Sequence, residues 1–138
     1  MLVLGGSLCV ALALGCGNDE GAGSPPRISN LFLGPDTARA GPRPGLVGVS
    51  VSLRYADPDG DLAFARMSTR PCGQGSLEHV DMAPGGVTGE REGVVWLSTI
   101  LSTDCPAGTY VYEFSLFDQK GYQSNVLPAS FTLTSRTQ

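Results

Sequence analysis

The sequence predicts an all-β fold, a single sandwich of seven antiparallel strands that follows an N-terminal signal segment. Apolar runs of the chain alternate with turn residues, and nineteen glycines and ten prolines are spread over 138 residues. Such frequent glycines and prolines suit short strands better than helices, and no window has a sustained helical period. The length fits one domain, since single domains cluster at about 100–150 residues.

Two runs show the alternation most clearly. Every second residue is apolar from Val47 to Tyr55, and again from Tyr110 to Leu116. Successive side chains of a strand face opposite sides of the sheet, so each run predicts a strand with one buried face. The connection 34–45 carries three prolines and is predicted to be a surface loop. The seven predicted strands are Ile28–Leu33, Val47–Ala56, Leu62–Thr69, Leu77–Met82, Val94–Leu101, Thr109–Phe117 and Val126–Thr134.

The charge pattern argues against a nucleic-acid partner, and the chain is predicted not to be an enzyme. The net charge is −4, and the nine basic residues are scattered instead of forming the patch that phosphate binding needs. No nucleophile elbow or acid–base set is recognisable. The single histidine, His79, lies in an ordinary apolar run and is expected to face solvent.

The N-terminus carries the features of an export signal. Leu2 to Leu14 is an uncharged apolar stretch, too short to span a bilayer but of the length of a signal-peptide core. The residues that follow, Leu12-Ala13-Leu14-Gly15-Cys16, resemble the lipobox of bacterial lipoproteins. The resemblance implies cleavage before Cys16 and acylation of that cysteine, with palmitate-type chains that hold the protein at a membrane.

The resulting organisation has three parts. Residues 1–15 form the signal peptide, residues 16–26 a lipidated flexible tether, and residues 27–138 the sandwich domain. The location implied is the cell envelope, and Gly17 after the cysteine favours the outer membrane over the inner one. The expected partners are the membrane, through the lipid anchor, and an unidentified envelope protein or polysaccharide.

Three short segments resemble immunoglobulin-like sandwiches. Asp104–Tyr110 (DCPAGTY) looks like the turn into the sixth strand, where Tyr110 implies a tyrosine corner whose hydroxyl bonds nearby backbone. Phe114–Asn125 (FSLFDQKGYQSN) is similar to the last hairpin of bacterial immunoglobulin-like, PKD-like and fibronectin-III-like modules. Tyr55–Leu62 (YADPDGDL) resembles their aspartate-rich corner. Together they imply a seven-stranded immunoglobulin-like sandwich without the cysteine and tryptophan hallmarks of antibody domains.

Two cysteines remain inside the domain, Cys72 and Cys105. Export places both in an oxidising compartment, where such a pair is expected to bridge. In the implied strand order, Cys72 follows the third strand and Cys105 precedes the sixth, so the two lie at the same end of the sandwich. We expect a Cys72–Cys105 disulfide.

Asp57, Asp59, Asp61 and Asp118 are the candidate metal ligands, and we expect them at the opposite end. Calcium takes six to eight oxygen ligands, and alternate aspartates in a turn offer several. The favoured interpretation is instead a type I turn, with Asp57 first and Gly60 fourth, whose carboxylates fan outward without a cofactor. Lys120 in the facing loop is a further candidate to take the place of a cation.

Two aromatic residues are candidates for a sugar-stacking platform. Trp96 lies in a run that is apolar on both faces, so core packing is favoured, whereas Tyr122 at a hairpin tip is the more credible exposed contact. Exposure of Trp96 beside other aromatic rings would favour sugar binding. The functional hypotheses are a non-catalytic binding or spacer module, a carbohydrate- or calcium-dependent adhesion module, and, less favoured, a small envelope enzyme.

Overall fold

The computed structural model describes residues 23–41, 45–85 and 89–135. The predicted signal peptide, Cys16 and most of the tether lie outside the described residues, so these assignments stay predictions. Within the described part, no helix is long and apolar enough to cross a membrane. The strands are β1 (Arg27–Gly34), β2 (Thr37–Arg39), β3 (Leu46–Ala56), β4 (Leu62–Thr69), β5 (Glu78–Met82), β6 (Glu92–Ser102), β7 (Gly108–Asp118) and β8 (Leu127–Thr134).

The strands form two sheets, which confirms the all-β prediction. One sheet has three strands in the order β1-β3-β6, and the other has five in the order β2-β8-β7-β4-β5. The core consists of the apolar residues on their inner faces. In β3 the alternation predicted from the sequence is the alternation of burial, since Val49, Val51, Leu53 and Tyr55 are buried and their neighbours are not. The buried side chains of β7 and β8, including Phe114 and Phe131, complete the core.

The prediction of seven antiparallel strands is wrong in one respect, because the described residues form eight. The extra strand, β2, lies in the connection that was predicted to be a loop, and it pairs in parallel with β8. The first strand of the sandwich thus divides between the two sheets, with β1 in one and β2 in the other. Three residues are too few to show an alternation, which is why the sequence did not indicate β2.

The disulfide prediction is confirmed. Cys72 and Cys105 are joined, with Cα atoms 5.2 Å apart, and the bridge lies at the end of the sandwich where β4 ends and β7 begins. At the same end the hydroxyl of Tyr110 donates a 2.6 Å hydrogen bond to the backbone carbonyl of Pro106. That bond to the backbone four residues upstream is the contact of a tyrosine corner. The bridge and the corner together fix the turn into β7.

Removing the bridge is expected to destabilise the domain by about 2–4 kcal/mol, because the 33-residue separation constrains the unfolded chain. The test is urea unfolding of the Cys72→Ser/Cys105→Ser double variant beside the wild type. Reducing agent should lower the free energy of unfolding of the wild type to that of the double variant and leave the variant unchanged. Equal stability of the oxidised wild type and the variant would contradict the prediction.

Candidate functional site

The four aspartates gather at the end of the sandwich opposite the disulfide. Asp57, Asp59 and Asp61 occupy the turn between β3 and β4, and Asp118 is the last residue of β7. Leu62, the first residue of β4, pairs with Asp118. Because β4 runs from this pair towards Cys72, the aspartates and the bridge lie at opposite ends, as the strand order predicted.

The turn between β3 and β4 has the predicted hydrogen bond. The Gly60 amide donates to the Asp57 carbonyl at 3.0 Å, and Gly60 has a positive φ of 65°, which favours glycine. The Asp57 carboxylate is fully buried and accepts from the backbone amides of Asp59 at 3.3 Å and Asp61 at 2.8 Å. Asp57 therefore closes the turn from inside, with both oxygens in use.

Asp118 closes the loop after β7 in the same way, by accepting hydrogen bonds from backbone amides. It is only 2% exposed, and its Oδ1 accepts from the backbone amides of Lys120 at 2.9 Å and Tyr122 at 2.8 Å. The amide of Gln119 donates to the Asp61 carbonyl at 2.9 Å. This last bond ties the two loops together, so the position of one fixes the position of the other.

The carboxylates converge, and the expectation that they fan outward is wrong. One oxygen from each of Asp57, Asp59, Asp61 and Asp118 lies within 4.8 Å of the other three. The physical reason is that backbone amides orient Asp57 and Asp118 inward, while the bond between the two loops holds Asp61 against Asp118. The predicted turn is present although the carboxylates converge. The Asp57 carboxylate closes the turn and also faces the centre that it shares with the other three.

The cluster contains buried oxygens that have no partner in the described part of the chain. These are Oδ1 of Asp61 and Oδ2 of Asp118. Burial raises the pKa of Asp61, and the nearby charges of Asp118, Asp57 and Asp59 raise it further. An unpaired buried oxygen of a carboxylate is costly, and four carboxylates this close repel one another.

Within the described residues, no basic side chain forms an ion pair with these carboxylates. The one ion pair there joins Arg66 to Asp81, away from the cluster. Lys120 is the candidate to replace a cation, but its ammonium group lies beside Gly23. A Cβ added at Gly23 would be 3.1 Å from Nζ. The repulsion between the four carboxylates is therefore not offset by an ion pair of the described residues.

The dimensions of the cluster suit a hard divalent cation. Calcium binds carboxylate and carbonyl oxygens at about 2.3–2.6 Å, so two ligands on opposite sides of one ion lie up to about 5 Å apart. The mutual separation of 4.8 Å or less falls within that limit. Four aspartates that each supply one oxygen leave two to four of the six to eight positions of calcium for water or backbone oxygens.

The prediction that Trp96 lies in the core is wrong, since its side chain is 66% exposed. Trp96 pairs with Ser52 of β3, which pairs on its other side with Phe32 of β1. Phe32 is 65% exposed, so two aromatic rings flank a serine on the outer face of the three-stranded sheet. Val94–Leu97 is apolar at every position, and such a run does not show which face is covered.

His79 is exposed, as predicted, but it has a partner that the sequence did not indicate. Its Nδ1 and the hydroxyl of Ser68 share a 2.7 Å hydrogen bond across the pairing of β4 and β5. The neighbouring acid, Asp81, accepts two bonds from Arg66, at 2.7 and 3.1 Å, and the Arg66 guanidinium also stacks on Phe117. Predicting these pairs requires the strand register, which the sequence alone does not supply.

Comparison with known proteins supports the fold. No family model and no curated protein matches the sequence. Among solved structures, the chain is similar to the PKD domain of an M14-like peptidase from Thermoplasmatales archaeon SCGC AB-540-F20, with 20% identity and a TM-score of 0.52 over 81% of this chain and 98% of that one. It is also similar to a Niemann-Pick type C2 protein from the Japanese carpenter ant, with 6% identity and a TM-score of 0.51 over 83% and 96%. The chain therefore has a two-sheet all-β fold like that of the PKD domain.

Proposed function

We propose that this chain is a non-catalytic binding or spacer module of the cell envelope, and that calcium orders the loop end of its domain. The observation that carries the calcium proposal is the convergence of four aspartates with buried oxygens of Asp61 and Asp118 left without partners. A bound cation would satisfy those oxygens and offset the burial and the repulsion that together raise the pKa of Asp61.

The role of the ion would be structural. The turn 57–61 and the loop 118–122 are joined by a backbone bond from Gln119 to Asp61. A cation held by aspartates from both segments adds a second, stronger link, since it binds only when the two are correctly placed. Residue Ser24 also reaches this end, where its amide donates to Asp59 at 2.7 Å. Calcium would therefore rigidify the loops and the entry of the tether together.

Millimolar calcium is expected to raise the melting temperature of the wild type above its value in chelator, because a ligand that binds only the folded state stabilises it. The matched variant is Asp61→Asn, which keeps the shape of the side chain and removes one charge. In chelator this variant should melt at or above the wild-type temperature, since it relieves repulsion and its amide can donate to Oδ2 of Asp118. In calcium it should lose most of the shift.

The control for this experiment is Asp36→Asn, which removes an exposed aspartate outside the cluster. It should keep the full calcium response. Isothermal titration of the same three proteins reports binding directly. Wild-type protein that shows neither heat nor thermal shift at millimolar calcium would refute the calcium proposal and leave the fold assignment untouched.

We propose further that Cys16 is lipidated and holds the domain at a bacterial membrane. The support is the apolar stretch Leu2–Leu14, the lipobox-like residues up to Cys16 and the polar tether that follows. Mass spectrometry of membrane-extracted protein should find an N-terminal Cys16 that carries acyl chains, and Cys16→Ala should move the protein to the soluble fraction. Protein cleaved at another residue would contradict the proposal.

A polysaccharide is a second candidate partner, favoured by the exposed aromatic pair. Trp96 and Phe32 lie in one row with Ser52 between them, so their Cα atoms are two strand spacings apart, about 9.6 Å. That is about the length of two hexose rings in an extended glycan. Ser50 and Ser98 in the next row offer hydroxyl groups to a sugar.

Binding to insoluble neutral polysaccharides is expected to weaken strongly in Trp96→Ala and Phe32→Ala, because each removes one stacking surface from an exposed position. Val111→Ala, which removes an exposed apolar side chain from the other sheet, is the control. Co-sedimentation measures the bound fraction. Equal retention of all four proteins would exclude this face as a glycan platform.

A further inference from the structure

Strand β6 presents one open edge of the three-stranded sheet. It pairs with β3 over all eleven of its residues, from Glu92 to Ser102, without a register shift. On its other side, no strand of the described residues pairs with it. A row of backbone amides and carbonyls is therefore available there to another strand.

The other three edges carry features that hinder pairing. β1 has a register shift between Ser29 and Phe32, with Asn30 at a positive φ of 52°. β2 has only three residues, and β5 is a five-residue strand with the charged Glu78 and Asp81. Bulges, short length and charge are the usual means by which proteins block sheet edges. These edges are protected.

β6 lacks these protections, apart from the charge of Glu92 at its first residue. It is as long as any strand of the domain and contains no proline. No charged residue occurs from Gly93 to Thr103. Long, flat, uncharged edges are the ones that pair with another chain. Its exposed side chains include Trp96 and Ile100, at 66% and 62%, so burial on pairing would be favourable.

We propose that β6 pairs in antiparallel fashion with β6 of a second copy of this chain, about a two-fold axis at Ser98. Antiparallel pairing of a strand with itself is two-fold symmetric, the commonest symmetry of homodimers. The product is a continuous six-stranded sheet. The absence of charge from Gly93 to Ser102 allows two chains, each of net charge −4, to meet along this part of β6.

The register follows from the side chains of the strand. With the axis at Ser98, Trp96 of each copy lies opposite Ile100 of the partner subunit, an aromatic and β-branched pair of the kind that stabilises sheets. On the inner face Val95 then lies opposite Leu101 of the partner subunit. An axis one residue away in either direction would place Trp96 opposite a serine. An axis at Ser98 therefore gives the register in which the two exposed apolar residues, Trp96 and Ile100, lie opposite each other.

A cysteine at the axis tests both the pairing and the register. Residues directly opposite in an antiparallel pair have Cα atoms about 4.5–5.5 Å apart, within the range of a disulfide. The full chain with Ser98→Cys, produced in its cell envelope, should migrate mostly as a disulfide-linked dimer on a non-reducing gel. Ser50→Cys is the matched control. Ser50 is exposed and lies on β3, the central strand of the sheet, where it pairs with Ser98. Its counterpart would lie three strand spacings away, about 14 Å, so it should stay at the wild-type level.

Charge at the same position provides the second measurement. Ser98→Lys should abolish the dimer of the detergent-extracted full chain in sedimentation, because two like charges would face each other at the axis. Ser50→Lys should leave the dimer intact, and a mixture of Ser98→Lys with Ser98→Glu should restore it. A monomeric wild type, or equal cross-linking of Ser98→Cys and Ser50→Cys, would overturn the proposal. Thermal melting of each variant shows that it is folded.

Discussion

The burial of one face of each sheet against the other is the constraint on which the rest of the structure depends. Each long strand contributes alternate residues to this layer, as Val51 of β3 and Phe114 of β7 illustrate. Strands that share one core layer run from end to end of the sandwich, so the loops collect at its two ends. One end carries the Cys72–Cys105 bridge, and the other carries the aspartates. The outer faces and edges are left for contacts with other molecules.

At the aspartate end, the hydrogen bonds that close the loops are favourable, whereas the repulsion between the carboxylates is unfavourable. Backbone amides stabilise the buried carboxylates of Asp57 and Asp118, and the same bonds direct them towards Asp61. The loops gain order from hydrogen bonds but concentrate negative charge, and two oxygens remain without partners. A turn without a ligand would be expected to avoid this cost by pointing its carboxylates into water. This cost is the basis of the proposed cation site.

The sequence predicted the strands well because burial of one face leaves a period of two. It also placed Cys72 and Cys105 at one end, since the strand order alone decides which turns share an end. It did not predict the convergence of the carboxylates, because that depends on a bond between Gln119 and Asp61 in loops far apart in the chain. The sequence also did not predict the exposure of Trp96. Its run is apolar at every position, so only the packing of the two sheets shows which face is exposed.

The proposed lipid anchor and the proposed dimer constrain each other. The tether enters beside the aspartates, where the Ser24 amide contacts Asp59. Antiparallel pairing of β6 would direct the aspartate ends of the two copies in opposite directions, and eleven residues of strand span about 37 Å. Because Ser24 is held at Asp59, the predicted tether has seven residues between Cys16 and Ser24, which would reach roughly 15 Å as a linker. Two anchors in one membrane therefore require the strands to lie along its surface, with the six-stranded sheet spread over it. A dimer that stands upright would instead place its two anchors in opposing membranes.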